Sequence, residues 1–153
     1  MKLKIRKANT YDIDDVINIM NEIEHPLFVK DDREYVFKHV NDEGFILVAE
    51  EDAIVGYLMV HYCEYDEDVN LHHIAYMDSV GVKKCARGHG LMKKLILEAQ
   101  ELLKDEYCYY MATVHPMNCY SLNVLLELGY EINQTVYRYN NKERYLMLKK
   151  TKI

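Results

Sequence analysis

The stretch Val80-Gly-Val-Lys-Lys-Cys-Ala-Arg-Gly-His-Gly-Leu-Met-Lys-Lys-Leu95 decides how the chain is read. It runs out of an apolar, strand-like segment (residues 74–82), through a turn holding two glycines, into a helical repeat. Leu91, Met92, Leu95, Ile96, Ala99, Leu102 and Leu103 fall on one face of that repeat. A strand delivered into a helix N-terminus points several unpaired backbone N–H groups at one spot, where the helix dipole also favours negative charge. Gly88 and Gly90 carry no Cβ, so a bulky diphosphate can approach the backbone, and Arg87 with Lys93 or Lys94 adds positive charge. The alternative is an ordinary strand-to-helix turn. A P-loop needs Gly-x-x-x-x-Gly-Lys and then Ser or Thr, whereas Gly88-His-Gly-Leu-Met-Lys-Lys94 has neither the spacing nor the hydroxyl. A dinucleotide fingerprint needs a third glycine where Lys93 stands, and at the first strand-to-helix turn.

Working outward, residues 3–7 alternate like a strand, and Asn9-Thr10 offers cap chemistry with Asp12, Asp14 and Asp15 in the first turn of a helix. Ile13, Val16, Ile17, Met20 and Ile23 form its apolar face, and Pro26 closes it. A shorter helix is expected over residues 31–40, then a hairpin of strands over 45–49 and 54–60. Residues 64–68, Glu-Tyr-Asp-Glu-Asp, read as a solvated loop or as an attractor for a cationic substrate. Beyond the long helix, residues 109–114 read as a strand broken by His115-Pro116. Asn118 caps a helix running to Leu128, stopped by Gly129, and strands at 130–139 and 143–149 flank the Asn140-Asn141 turn. The order βααβββαβαββ describes one α/β sandwich, and 153 residues suit a single domain spanning 1–153.

Composition narrows the function classes. Half the residues are hydrophobic and 29% are charged, with two prolines and six glycines, which excludes collagen-like and broadly disordered chains. The start lacks an apolar signal-peptide core and no apolar run nears the roughly 18 residues of a membrane span, so a cytoplasmic protein without a membrane partner is expected. A formal charge of −6 opposes the counterion-release binding that basic domains use, so no nucleic-acid partner is expected. Cys63, Cys85, Cys108 and Cys119 form no Cys-x-x-Cys pair and read as reduced, mostly buried thiols. The fourteen tyrosines, among them Tyr62, Tyr65, Tyr76, Tyr107, Tyr109, Tyr110 and Tyr120, are read mostly as strand residues with one wet edge. His61, Cys63, His72 and His73 invite a metal reading, but adjacent His72 and His73 point oppositely, at most three can converge, and no metal site is expected. His115, in the loop before Pro116, is read as structural or as a substrate contact.

With these segments in place, Arg87-Gly-His-Gly90 after Val80-Gly-Val82 resembles the acetyl-CoA signature Arg/Gln-x-x-Gly-x-Gly/Ala of the GNAT N-acetyltransferase superfamily, with Met92 where Gly or Ala is usual. Downstream, Asn118-Cys-Tyr-Ser-Leu-Asn-Val-Leu-Leu-Glu-Leu-Gly-Tyr130 resembles the family's Asn-x-x-Ala/Ser helix ending in Leu-Gly-Phe/Tyr. The opening Ile5-Arg-Lys-Ala8 and the segment Ile54-Val-Gly-Tyr57 extend the likeness over most of the chain. The resemblance implies a mixed, mostly antiparallel, splayed sheet of about seven strands with about four helices, and a cofactor cleft between the fourth and fifth strands.

By that resemblance the backbone of Val80, Gly81 and Val82 would hold the pantetheine arm of acetyl-CoA, the co-substrate. Arg87, Gly88, His89, Gly90, Leu91, Met92 and Lys93 would wrap the diphosphate, and Asn118 and Ser121 would meet its far side. The implied reaction is direct attack of a primary amine, on a small molecule, polyamine or peptide, on the thioester in a ternary complex. Backbone N–H groups near Ser79 and Val80 would polarise the carbonyl, and Asp78 would stand as base. Leu125 occupies the place where many relatives carry an acidic tyrosine, and Tyr120 lies one turn too early to replace it. A non-catalytic acyl-CoA-binding or regulatory module is the alternative. Acceptor choice is expected from residues 24–32 and 134–141, and a homodimer is the assembly the likeness suggests.

Overall fold

The structure is a computed structural model that describes residues 2–23 and 28–151. In chain order it contains β1 (Lys4–Lys7), a 3-10 turn (Thr10–Asp12), α1 (Ile13–Glu22), α2 (Arg33–Asn41), β2 (Gly44–Glu51), β3 (Ala53–Asp66) and β4 (Leu71–Val82). A second 3-10 turn (Lys84–Ala86), α3 (Leu91–Leu103), β5 (Tyr109–Val114), α4 (Cys119–Glu127), β6 (Glu131–Arg138) and β7 (Lys142–Lys150) complete it. The order βααβββαβαββ is the one expected. The strands form one sheet in the order β1-β2-β3-β4-β5-β7-β6, antiparallel throughout except for β4 beside β5.

Both faces of the sheet centre are covered, which explains why β2 and β3 read as continuous apolar runs rather than alternations. Phe45, Leu47, Ala49, Leu58 and Val60 pack with Leu91, Leu95, Ile96 and Ala99 of α3. The intervening Ile46, Val48, Tyr57 and Met59 pack with Val16, Ile19 and Met20 of α1 and Val36 of α2. Each such side chain fully buried contributes roughly 1.5–3 kcal/mol. A smaller cluster of Ile74, Tyr76, Met111, Val136 and Leu146 joins β4 to the β5–β7–β6 half.

Two features of register open the sheet. Met59 pairs with Ser79 and Val60 with Met77, so Asp78 is the extra residue of a β-bulge in β4. The parallel ladder between β4 and β5 covers only Ile74–Tyr76 against Tyr109–Met111. Beyond it β4 stays paired to β3 and β5 stays paired to β7, so the two halves part like a fork.

Several expectations change. Asn9 caps the 3-10 turn rather than α1, and Asp12 closes a capping box there. Asp32 caps α2, which starts at Arg33 rather than at residue 31. Residues 64–66 belong to β3, and Asp66 and Asp68 take Arg138 at 3.0 and 2.7 Å, so the acidic run is a strand end pinned by an ion pair rather than a free loop. Leu102 is exposed and the buried face of α3 ends on Leu103. No thiol is fully buried: Cys63 and Cys108 are half-buried, and Cys85 and Cys119 are exposed. Tyr120 sits exposed on α4 rather than in a strand. Pro26, the expected stop for the first helix, lies outside the described residues. Among the described residues no helix is long and apolar enough to cross a membrane.

Candidate functional site

The fork encloses a cleft of about 560 Å³. Its apolar surface comes from Val80, Val82, Leu91, Met92, Ile96 and Leu125, and its polar surface from Asp31, Asp78, Ser79, Arg87, Asn118 and Tyr139. Main chain is offered on both sides, because residues 77–82 of β4 and 112–114 of β5 have no strand partner toward each other.

At one end the chain leaves Val82, makes the second 3-10 turn and enters α3. Arg87 Nε donates to the Val82 carbonyl at 3.1 Å, folding the turn back on the strand. Gly88 and Gly90 have φ of +87° and +69°, a region that favours glycine, and nothing lies within 4 Å of where a Cβ would stand at either. Gly90 is the N-cap of α3 and has no side chain to accept from the first turn. The helical ladder begins with Lys94 N–H donating to the Gly90 carbonyl at 3.1 Å. Among the described residues, no side chain therefore caps the N–H groups of Leu91, Met92 and Lys93.

Among the sequence-predicted cofactor residues, Val80, Gly81, Val82, Arg87, Gly88, Leu91, Met92, Asn118 and Ser121 line the cleft. His89, Gly90 and Lys93 do not line it, and Lys93 Nζ lies 3.5 Å from Glu127. Met92 is buried against the apolar core and forms part of the cleft wall. Gly81 has a packing reason for its size: a Cβ there would lie 2.5 Å from the Tyr57 ring. On α4, Asn118 Oδ1 accepts from Ser121 N at 3.3 Å and caps the helix. Leu125 is buried in the core and its side chain, not a phenol, forms that part of the wall. His115 and Tyr120 also line the cleft.

The bulge places Asp78 in the fork, where its Oδ2 accepts a short hydrogen bond from Tyr35 Oη. Burial pushes the Asp78 carboxyl up, while the Tyr35 bond and the positive potential of His39 and His61 pull it down; burial wins. Burial and the Asp78 charge raise the Tyr35 phenol in turn. Asp31, in the coil before α2, is pushed up to about 7 by burial, then by Asp78 and Asp32. The sequence reading placed it within residues 24–32, expected to govern acceptor choice, but did not single it out. Neighbouring Asp32 shows an ordinary cap signature, accepting from Tyr35 N at 2.9 Å, but nothing local marks Asp31, whose environment is created by β4 across the cleft. Buried hydroxyls back the polar lining: Tyr57 Oη is 2.8 Å from Ser79 Oγ. Tyr76 Oη is 2.7 Å from Thr113 Oγ1 and 2.9 Å from Tyr139 Oη.

A second opening of about 220 Å³ shares Asp78 and Tyr139 with the cleft and is lined further by Tyr35, His61, Cys63 and Arg138. Beside it, His39 Nε2 lies 2.8 Å from His61 Nδ1. Among the described residues, His39, Glu43 and His61 bring ligand-type atoms within 4.8 Å of one another, a different set from His61, Cys63, His72 and His73. At 2.8 Å the facing histidine nitrogens stand at hydrogen-bond distance. His72 packs at a tilt against Tyr65, with ring centroids 4.7 Å apart, and His73 lies 3.6 Å from Glu64.

A sequence model described as "Acetyltransferase (GNAT) family" matches residues 13–130. No curated protein matches the chain by sequence. Solved structures share its fold along nearly the whole length. A GNAT-family acetyltransferase from Streptococcus pneumoniae is 20% identical, with 97% of this chain and 99% of that one covered and a TM-score of 0.77. Arabidopsis thaliana NAA60, solved in complex with acetyl-CoA, is 16% identical over 97% and 99% with a TM-score of 0.84. Arabidopsis thaliana Naa50, solved with the bisubstrate analogue CoA-Ac-MVNAL, is 18% identical over 97% and 99% with a TM-score of 0.77.

Proposed function

Because the chain belongs to the acetyltransferase (GNAT) family, we propose that it moves an acetyl group from acetyl-CoA to a primary amine by direct attack in a ternary complex. The observation that carries this reading is the meeting of the uncapped α3 turn, the unpaired β4 edge and a bulge-borne carboxylate on one cleft. Diphosphate is matched by the N–H groups of Leu91, Met92 and Lys93 with Arg87 nearby. The pantetheine amides find hydrogen-bonding main chain along residues 80–82, and Asn118 and Ser121 face the same space from α4.

In the transfer, the amine nitrogen forms a bond to the thioester carbon and the C–S bond breaks. Main-chain N–H groups beside the bulge, at Ser79 and Val80, are the donors for the developing oxyanion. The attacking amine must be neutral, and Asp78 takes its proton; burial suits that role because a carboxylate of ordinary pKa is a weak base at neutral pH. With leucine at position 125, the hydroxyls of Tyr139, Tyr76 and Thr113 are the proton source for the departing thiolate. The reading includes a cytoplasmic location and no nucleic-acid partner, in keeping with the charge of −6.

Calorimetric titration with acetyl-CoA tests the cradle, and absence of saturable binding at millimolar cofactor sinks the reading. Thiol release is then followed with spermidine, lysine and the peptide Met-Val-Asn-Ala-Leu. A binding-only module is the second reading, favoured by the buried Leu125 in place of a phenol. Cofactor binding without thiol release on any amine selects that module, and turnover on one of them removes it.

A further inference from the structure

The second opening carries an arrangement that the transfer as written leaves unused. His39 on α2 is fully buried, with Nδ1 2.8 Å from the Tyr35 carbonyl oxygen. A carbonyl only accepts, so His39 Nδ1 carries a proton. With that proton on Nδ1, the singly protonated ring offers its lone pair at Nε2. His61 Nδ1, 2.8 Å from that lone pair, is therefore the donor. The other His61 nitrogen, Nε2, is left unprotonated, on a ring that lines the same opening as Asp78. One backbone carbonyl thus sets two tautomers in series.

We propose that His61 is the proton acceptor that clears Asp78 after each transfer, held in the required tautomer by His39. This deepens the acetyl-transfer reading and rests on it. As the amine attacks, its proton passes to Asp78. The neutral carboxyl then gives that proton, through water in an opening large enough for several molecules at about 30 Å³ each, to His61 Nε2. The imidazolium keeps its Nδ1–H bond to His39 and releases the proton to solvent, since His61 is only half-buried. Asp78 returns to the carboxylate, and the hydroxyl group that protonated the thiolate regains a proton from solvent, so no charge accumulates. His39 passes nothing on, because its own proton ends on a carbonyl. It is a positioning residue, as a carboxylate is for a catalytic histidine elsewhere.

The groups around His61 come from several elements. His39 faces it from α2, Glu43 from the turn after α2, and Asp78 from β4. Asp66, with its partner Arg138 from β6, lines the opening. So do Cys63 and the phenols of Tyr35, Tyr76 and Tyr139. Burial and His39 lower the proton affinity of His61, and Asp78 and Glu43 raise it; the net direction is down, so the ring starts neutral at neutral pH and is free to accept.

The experiment is the pH–rate profile of acetyl transfer, on whichever of the three amines above is acetylated, for wild type, His61→Ala, His61→Gln and His39→Gln. The expected result is a fall in kcat of about 10²-fold in both His61 variants with little change in KM. The wild-type inflection below about pH 6.5 disappears from their acid limb. Imidazole partly restores His61→Ala. His39→Gln, which cannot hold the same tautomer, moves the inflection and lowers kcat with KM kept. Should the alanine variant fail to fold, the glutamine variant supplies the same pH reading. Wild-type kcat and an unaltered acid limb in a folded His61 variant overturn the relay alone. A wild-type chain that acetylates none of the amines overturns the transfer reading and the relay together.

Discussion

Asp12 is buried against the Arg6 guanidinium, whose Nη1 and Nη2 lie 2.8 and 3.0 Å from its two oxygens, and it also accepts from Asn9 N at 2.8 Å. The Arg6 bond holds its carboxyl below the usual range against the opposing effect of burial. Because the folded value lies below the unfolded one, this stabilisation is present above about pH 4 and lost as pH falls through the folded value. Asp12→Asn should cost about 2 kcal/mol at pH 7, less than a fully buried pair because Arg6 is partly exposed, and the difference should shrink in acid denaturation curves. Asp31 has the opposite sign. Its folded value of about 7 lies above the unfolded one. The stability associated with its neutral form is therefore complete below about pH 4 and lost as pH rises toward 7. Asp31→Asn should raise stability at pH 8 by about 1 kcal/mol, discounted for its solvent exposure, with the gain vanishing at pH 4. Urea melts at the two pH values read this directly, and an equal effect at both would contradict the buried-carboxyl account.

At the scale of elements, the strand–turn–helix unit of β4 and α3 has two separable requirements. The helix face needs apolar residues at helical spacing, which any sequence can advertise, and the turn needs two left-handed residues, which glycine supplies. Gly90→Val meets open space but not the left-handed backbone, at a cost of about 1–2 kcal/mol. A valine side chain would enter the open space proposed for the diphosphate, and straining the left-handed cap would also tilt the first-turn N–H groups. CoA affinity should fall tenfold or more by calorimetry while the folded far-ultraviolet spectrum is kept. Unchanged affinity in that folded variant would place the diphosphate elsewhere.

Across the whole molecule, the fork divides a sheet whose halves pair at three parallel positions of β4 and β5 and share apolar clusters. A ligand bridging β4, α3 and α4 therefore links both halves and should stabilise them together. At a CoA concentration a hundred times its Kd the gain is about 2.7 kcal/mol, which for a chain of this length raises Tm by roughly 5–10 °C. A thermal melt with and without CoA checks it; no rise in the presence of saturating CoA would show that the cleft is not its site.

Sequence by itself determined the element order, the β2–β3 hairpin, the glycine turn and the Asn118 cap, because each is written in spacing or in the backbone needs of one residue. Tertiary structure alone decided where the chemistry gathers. Asp31, Tyr35, His61, Asp78 and Tyr139 come from three strands or turns, a coil and a helix, and no local pattern relates them. The β3–β4 register made Asp78 a bulge, burial in the cleft raised Asp31, and α2 brought a buried histidine to a strand histidine beside it. The physical reason is range. Propensity and capping act within a few residues along the chain, whereas desolvation, charge coupling and hydrogen-bond direction depend on neighbours that only folding supplies.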